Sequence, residues 1–409
     1  MKILLVHNYY RYRGGEDRYV AILEDTLTRA GHRVIRFFRD SRDIDGFSPL
    51  KKWALPFKLI NSPALNRELE KFLLAEKPDL AVVHNLAPLL SLSILRVLKK
   101  HGVPILKRLE NYKFLCLNGL FLRNDFTTCE KCKPGNFLPG IIHRCYQRSL
   151  INSMGIAVGE WFHRRGKTVI RNVDCFLATS RFLKSKFVEA GFPGDKIEVF
   201  PNFIDFEPVT RGAGGGAVSL PGPYAVYVGR LSREKGLLTL LNAFVGLPHL
   251  PLKIVGSGPL EKELKEFAHD RNLGNIEFTG FIDGPLKREI LTGARFLIFP
   301  SECYESFGYS IIEGYACGTP VIASDIGGAR ELVTEGETGF LFEPGNPDDL
   351  RRQISRLLAL DNEALMAMKE KSLARIGECY TGEIGYKNLE NLLKKILVTV
   401  TNNLNNQKL

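Results

Sequence analysis

Residues 299–324 read FPSECYESFGYSIIEGYACGTPVIAS. The apolar run that leads into this stretch, RFLIFPS, has the length and bulk of a buried strand. A short loop containing Gly308 follows, then the apolar segment YSIIEGYACG with helical spacing, ending at Gly318, then a second apolar run, PVIAS. Strand, loop, helix and strand in so few residues is the unit of a parallel sheet, because parallel neighbours need a crossover connection and a helix usually supplies it. Two carboxylates punctuate the unit. Glu305 lies in the loop and Glu313 near the middle of the helix, with seven residues between them. A helix start presents unpaired N–H groups and partial positive charge, so the loop suits an anion. A carboxylate accepts two hydrogen bonds well, so each glutamate suits a pair of neighbouring hydroxyls. The competing reading makes Glu313 an ordinary solvated helix residue, and its apolar neighbours Ile311, Ile312, Tyr315 and Ala316 argue against that.

The same alternation runs through the chain. The first half holds apolar runs at KILLVHN, RVIRFF, DLAVVHN, VPILKRL, CFLATS and IEVFP, and the second at YAVYVG, LKIVG, IEFTG, RFLIFP, PVIAS and GFLF. Amphipathic segments lie between most of them, including EDRYVAILEDTLTRAG, SILRVLKKHG, LEKELKEFAHDRN and PDDLRRQISRLLALD. Continuous apolar strands separated by helices predict an α/β chain whose parallel sheets are covered on both faces. The Gly- and Pro-rich run at 211–223 marks a break. Two doubly wound domains are expected, over 1–205 and 218–380, with a linker at 206–217. The segment 381–409 reads as a helix crossing back to the first domain, followed by a disordered tail. Ligands of such sheets bind at the carboxyl ends of the strands, so the expected site is the cleft between the domains.

The 409 residues are 44% hydrophobic and 25% charged, which suits a soluble protein with more than one core. No apolar run approaches the roughly 20 residues of a membrane span, and the N-terminus lacks the pattern of a signal peptide. A cytoplasmic location is the default expectation. Charge is uneven: residues 1–200 carry 34 Lys and Arg against 19 Asp and Glu, a net +15, and the remainder carries −4. A basic half suggests an anionic partner, or a surface kept basic for solubility. The nucleic-acid reading finds no supporting motif and no nucleic-acid partner is expected.

Two further motifs carry candidate chemistry. YVGRLSREKG follows the first strand of the second half and places Arg230 and Lys235 where a helix begins; Arg offers a planar fork and Lys a point charge to a phosphate. NYYRYRGGEDR follows the very first strand, and Gly14–Gly15 lets backbone approach a ligand closely.

The order RGGEDR, PNFID, VGRLSREKG, IVGSGPL, FTGFI, PSECYESFG…IIEGYACGTPVIASDIGG and GFLFEPG resembles glycosyltransferase family 4, whose members have the GT-B fold of two Rossmann-like domains. The match is dense from Lys196 to Gly345, and Glu305 and Glu313 resemble the family's E-x7-E motif. The resemblance implies a retaining transferase using a nucleotide-diphosphate sugar and no catalytic metal. It implies that Glu305 contacts donor-sugar hydroxyls, that Glu313 holds the ribose, and that backbone around Phe307, Gly308 and Tyr309 meets the sugar and diphosphate. Arg230 and Lys235 would neutralise the leaving diphosphate, Gly14 and Gly15 would close over it, and Gly280–Phe281 would border the base. It also implies a glycan or lipid-linked acceptor, as in surface-polysaccharide assembly. A departure stands in KRLENYKFLC, where Glu110 occupies the place of a histidine that reaches the donor sugar in many relatives. A non-catalytic GT-B scaffold subunit is therefore the rival reading. His84, at a strand end, is a candidate for placing the acceptor, or a satisfied structural histidine.

Two features lie outside this pattern. Cys116, Cys129, Cys132 and Cys145 are spaced x12, x2 and x12, which suits either a structural zinc site with four thiolates or reduced thiols in a loop. The segment SPLKKWALPFKLI, residues 48–60, mixes lysines with Trp53, Leu55, Phe57 and Ile60. It suits either contact with an anionic membrane surface, making the protein peripheral at the inner face, or a helix packed on the sheet. Asp43–Asp45 (DID) reads as solvated.

Overall fold

The structure is a computed structural model that describes residues 1–11, 14–48, 51, 55–204, 206, 208 and 223–406, with the side chains of 56, 57 and 397–406 outside the description. The chain divides into two compact units, residues 1–201 with 386–409, and residues 202–385. Most of the expected linker, and the residues after it as far as 222, lie outside the described residues.

Unit 1 is built on β1 (Lys2–Tyr9), β2 (Arg33–Asp40), β3 (Leu80–Val83), β4 (Ile105–Leu109), β5 (Cys175–Ala178) and β6 (Ile197–Val199), in the order β2-β1-β3-β4-β5-β6. Every pairing is parallel, with Ile3 beside both Val34 and Leu80 in one continuous register. β3 reads LAVV and β5 CFLA, and all of their residues are buried. That is the signature of strands covered on both faces. The covering helices are α1 (Gly15–Arg29), α2 (Leu55–Ile60), α3 (Pro63–Glu76), α4 (Ile94–Lys100), α5 (Leu138–Ile142), α6 (Leu150–Arg165), α7 (Thr168–Asn172) and α8 (Arg181–Glu189). Between β4 and β5 the crossover is long, residues 110–174, and carries α5, α6 and α7 after an irregular cysteine-containing stretch.

Unit 2 repeats the plan with β7 (Ala225–Val228), β8 (Leu252–Val255), β9 (Ile276–Gly280), β10 (Phe296–Phe299), β11 (Val321–Ser324) and β12 (Gly339–Phe342), in the order β12-β11-β10-β7-β8-β9. Again all pairings are parallel. Its helices are α9 (Leu237–Phe244), α10 (Glu261–Asp270), α11 (Gly284–Gly293), α12 (Tyr309–Ala316), α13 (Pro347–Leu358) and α14 (Asn362–Cys379). Two cores flank the sheet: one joins Leu240, Phe244, Ile254 and Leu350, the other Leu297, Ile311, Ile312 and Tyr315.

All twelve expected strands are present. The last helix, α15 (Gly382–Asn406), runs beyond the point where a disordered tail was expected to begin at Thr401. Elongating an existing helix adds one hydrogen bond for each residue fixed, so a polar sequence can continue it. From Tyr386 onward α15 belongs with unit 1, where the Tyr386 hydroxyl lies 3.1 Å from His32 Nε2 and Lys395 reaches Glu198 at 2.6 Å.

Candidate functional site

In unit 2 the polar side chains gather at the carboxyl ends of β7 and β10. A 3-10 turn over Arg233–Lys235 leads into α9. The loop after β10 is stitched to that turn: Glu302 N–H donates to Glu234 O at 2.9 Å, and the Ser301 hydroxyl oxygen lies 3.2 Å from the same carbonyl. Gly236 makes this contact geometrically possible, because its φ is +67° and a Cβ there would fall on Pro300 O. The stitching brings Lys235 Nζ to 2.5 Å from Glu305 Oε1, and the Ser301 hydroxyl donates to the same oxygen. Burial alone would lower the Lys235 ammonium, but the Glu305 carboxylate outweighs it and the net shift is upward. Beside them the Cys303 thiol is pushed up to about 12, by burial first and then by Glu305. It is therefore not a nucleophile at neutral pH.

Beyond this pair the chain turns through Gly308, φ +116°, into α12. Phe307 is buried in the core and edges onto Tyr380, so only its backbone faces the loop. The loop is closed from the other side by Gly327 and Gly328. The Gly328 N–H donates to Glu305 O at 2.7 Å, and a Cβ on Gly327 would come within 2.6 Å of the Glu305 backbone. Glu313, one turn into α12, is buried, and Lys287 Nζ on α11 meets its Oε1 at 2.8 Å. Lys287 also reaches Asp283 at 2.8 Å. Arg230 is exposed and pairs with Glu234 at 2.5 Å, so its guanidinium stands beside the Lys235 turn rather than on Glu305. Gly280 ends β9, with Gly256 N–H donating to its carbonyl at 2.8 Å, and the Phe281 ring beyond it is exposed.

Unit 1 holds a cavity of about 370 Å³. Leu86, Leu92, Phe114 and Ile156 supply apolar wall, and Lys107, Glu110, Lys113 and Glu160 supply charge. Glu110 is buried; its carboxylate lies 3.3 Å from His84 Nδ1 and 3.7 Å from Arg108 Nε. Burial by itself would raise this carboxyl, but the charge and hydrogen bond of the His84 ring, and after them the Arg108 and Lys107 cations, overcome it and hold it at about 2. Burial depresses the His84 imidazole, against the pull of Glu110. Lys113 Nζ donates to Tyr10 Oη and Asn85 Oδ1, at 2.9 and 3.0 Å, and Glu16 accepts from the Tyr10 hydroxyl and from Asn111. Glu160 is pushed up to about 8 by burial, against the pull of Lys113 and Arg164. Gly14 and Gly15 lie at the exposed start of α1, where the Gly14 N–H donates to Asp17 Oδ2 at 3.0 Å.

Residues 218–375 match the family described as glycosyl transferases group 1, and residues 14–202 match the glycosyl transferase 4-like domain. Together the two matches take in every strand of both sheets except β1. The chain belongs to the family 4 glycosyltransferases of the GT-B fold. D-rhamnosyltransferase WbpZ of Pseudomonas aeruginosa is 35% identical over 160 residues, 39% of this chain and 42% of WbpZ. O-antigen chain mannosyltransferase C of Escherichia coli is 27% identical over 218 residues, 52% of this chain and 58% of the relative. The family 4 chain thus spans about half the length of the curated relatives it matches. Among solved structures, sucrose-phosphate synthase from Thermosynechococcus elongatus superposes with a TM-score of 0.71 at 22% identity, covering 98% of this chain and all of that one. HepE of Anabaena, solved in complex with UDP, gives 0.66 at 17% identity over 97% of this chain and all of that one.

For this family 4 chain the motif reading brings Lys235, Glu305 and Gly308 to one loop system in unit 2, with Glu313 on the helix that follows. It missed Lys287, Ser301 and the Gly327–Gly328 closure. The repeated glycines of SDIGG were the available signal for the last of these, whereas nothing in a sequence marks Lys287 as buried. In unit 1 the reading found Glu110 and His84 and missed Arg108, Lys113 and Glu160.

The four clustered cysteines line one small cavity, and Cys132 is pushed up to about 12 by burial and by Cys116. Among the described residues, however, no group of three or more His, Cys, Asp or Glu is placed to hold a metal ion. The Cys116 thiol instead donates to Asn118 Oδ1 at 3.1 Å. Of the segment 48–60, residues 49, 50 and 52–54, including Trp53, lie outside the described residues. Lys51 and Lys58 are exposed, while Leu59 and Ile60 are half-buried, with the Leu59 carbonyl accepting from Ser91 and lying 3.1 Å from His163 Nε2 on α6. Among the described residues no helix is long and apolar enough to cross a membrane.

Proposed function

We propose that the protein is a retaining glycosyltransferase that moves a sugar from a nucleotide-diphosphate donor to a glycan or lipid-linked acceptor in surface-polysaccharide assembly. The observation that carries this reading is the Lys235–Glu305 pair set just ahead of the Gly308-initiated helix. In the donor complex the diphosphate takes the Lys235 ammonium. Glu305 is then released to accept hydrogen bonds from the donor-sugar hydroxyls. As the glycosidic bond to the diphosphate lengthens, the sugar gains oxocarbenium character and negative charge grows on the leaving group. Lys235, the nearby Arg230 and the first-turn N–H groups of α12 meet that charge without reorganising, and this lowers the barrier. Glu313, oriented by Lys287 at 2.8 Å, accepts the ribose hydroxyls. Gly280 and Phe281 border the base.

The unit 1 cavity, part apolar and part charged, takes the acceptor, with Glu110 at its wall and His84 buried behind Glu110. Glu110 is buried and paired, which supports a structural part for it. The enzyme works at the inner face of the membrane, where nucleotide sugars are available.

A thermal-shift panel of nucleotides and nucleotide sugars tests the reading. The cognate donor at ~100 times its Kd stabilises by ~2.7 kcal/mol, and a flat response across the panel overturns donor binding. With the donor identified, Lys235→Ala and Glu305→Ala each lower kcat by ~10²–10³-fold. Unchanged turnover in both variants would remove this loop from the mechanism. NMR of the product's anomeric proton decides between retention and inversion.

A further inference from the structure

Helix α6 is built inside out. Its inward face is small or polar, with Ser153, Ala157, Gly159 and His163 buried. Its large apolar side chains stand in water: Ile151 is 73% exposed and Trp161 54%, with Leu150, Met154, Val158 and Phe162 also exposed. The series Ile151, Met154, Val158, Trp161 steps by three or four residues, so these side chains share one face of the helix. Helix α5 packs against α6 over a small core of Leu117, Cys132, Phe137 and Ala157, and it adds exposed Leu138 and Ile142. A soluble monomer rarely shows so many large apolar side chains on neighbouring elements without a partner for them.

Charge selects the partner. Arg144, Arg148, Arg165 and Lys167 are exposed around the two helices. The Arg165 guanidinium lies 5.9 Å over the Trp161 ring. Between Lys131 and Val173 the one acidic residue is Glu160, which is half-buried and lines the unit 1 cavity. An apolar helix face with Trp and Phe, rimmed by cations and short of acids, matches an anionic lipid surface: side chains enter the acyl boundary while the arginines stay at the headgroups. A second copy of the chain would set the same cations against one another, which like-charge repulsion opposes.

We propose that the α5–α6 face docks this protein on an anionic bilayer. The opposite side of α6 contributes Ile156, Gly159, Glu160 and His163 to the unit 1 cavity, so one helix separates the lipid from that cavity. The binding itself does not depend on glycosyl transfer and is read without donor or acceptor.

The test uses the full chain and vesicles of phosphatidylcholine, with and without an equal share of phosphatidylglycerol, at low and high salt. The wild type sediments with the anionic vesicles at low salt and is released by high salt. Ile151→Ser/Val158→Ser and Arg144→Glu/Arg148→Glu each weaken binding by at least about tenfold, while their melting temperatures stay near the wild type because the substituted side chains are exposed. The chain has two tryptophans, so in a Trp53→Phe background the fluorescence reports Trp161, which shifts to the blue on anionic vesicles. Absence of binding, binding unchanged by both double variants, or a Trp161 emission that does not move overturns the proposal. So does a dimer in solution that Ile151→Ser/Val158→Ser dissociates, since a second copy would then cover the face.

Discussion

Lys287 is the residue whose importance was least visible beforehand. It is buried together with Glu313, and the pair lies on adjacent helices 2.8 Å apart. A buried carboxylate that loses its cation keeps the desolvation penalty and loses the attraction, which typically costs about 3–5 kcal/mol. Lys287→Met is expected to cost ~3 kcal/mol, nearly all of it from the buried Glu313, because Asp283 is half-exposed and is rehydrated when it loses the lysine. The double variant Lys287→Met/Glu313→Leu recovers most of the loss, since it removes both charges. Chemical denaturation of the two variants checks this. A second readout separates a structural role from a ribose-holding one. If Glu313 holds the ribose, Lys287→Met weakens donor binding in protein that is still folded, whereas a purely structural pair leaves the donor Kd near the wild type.

At the scale of elements, the strand–loop–helix unit around residues 299–324 was legible because its parts are local. Apolar runs of four residues with punctuating glycines define β10, α12 and β11 without reference to the rest of the chain. Lys235 was legible as a phosphate ligand, but its direct pairing with Glu305, 70 residues away in sequence, was not, and Lys287 was not legible at all. The crossover at 110–174 was also opaque. Its α6 presents small residues inward and large apolar residues outward, the reverse of the pattern that marks a core-facing helix. Gly327 sits between the legible and the illegible. Its sequence neighbourhood was recognisable, but only the structure shows that its φ of +63° and the nearby Glu305 backbone leave no room for a side chain. Gly327→Ala therefore displaces the Glu305 loop and is expected to lower kcat by roughly 100-fold, with a drop of several degrees in melting temperature. Gly274→Ala, where a Cβ meets nothing within 4 Å, is the matched control and leaves both values near the wild type. Equal behaviour of the two variants would mean that the loop tolerates the displacement.

For the molecule as a whole, the unit 1 cavity makes folding stability depend on pH in a definite direction. Glu160 titrates at about 8 in the folded chain, because burial penalises its charged form, and near the ordinary carboxylate value when unfolded. Between those two values the folded state holds the extra proton, so this group's contribution to stability declines as pH rises through the window and is fully lost above about 8. Lys107, buried in the same cavity wall and lowered to about 8, acts in the opposite sense at higher pH. There the unfolded state binds the extra proton, and stability recovers between about 8 and the ordinary lysine value. Other groups titrate over the same range, so the informative quantity is the difference between the wild type and Glu160→Gln. That difference is near zero at pH 4–5, grows in favour of the variant as pH rises, and levels off above about 8 at roughly 2 kcal/mol. The plateau is well short of the full shift because Glu160 is partly solvated and its charge is screened there. Melting temperatures of the two proteins across this range measure the curve. A flat difference would mean that Glu160 titrates normally in the folded chain and that the cavity is wetter than its apolar walls imply. A ligand that covers the cavity and desolvates Glu160 further would move the midpoint of the curve upward, whereas one that offers a cation to the carboxylate would move it down.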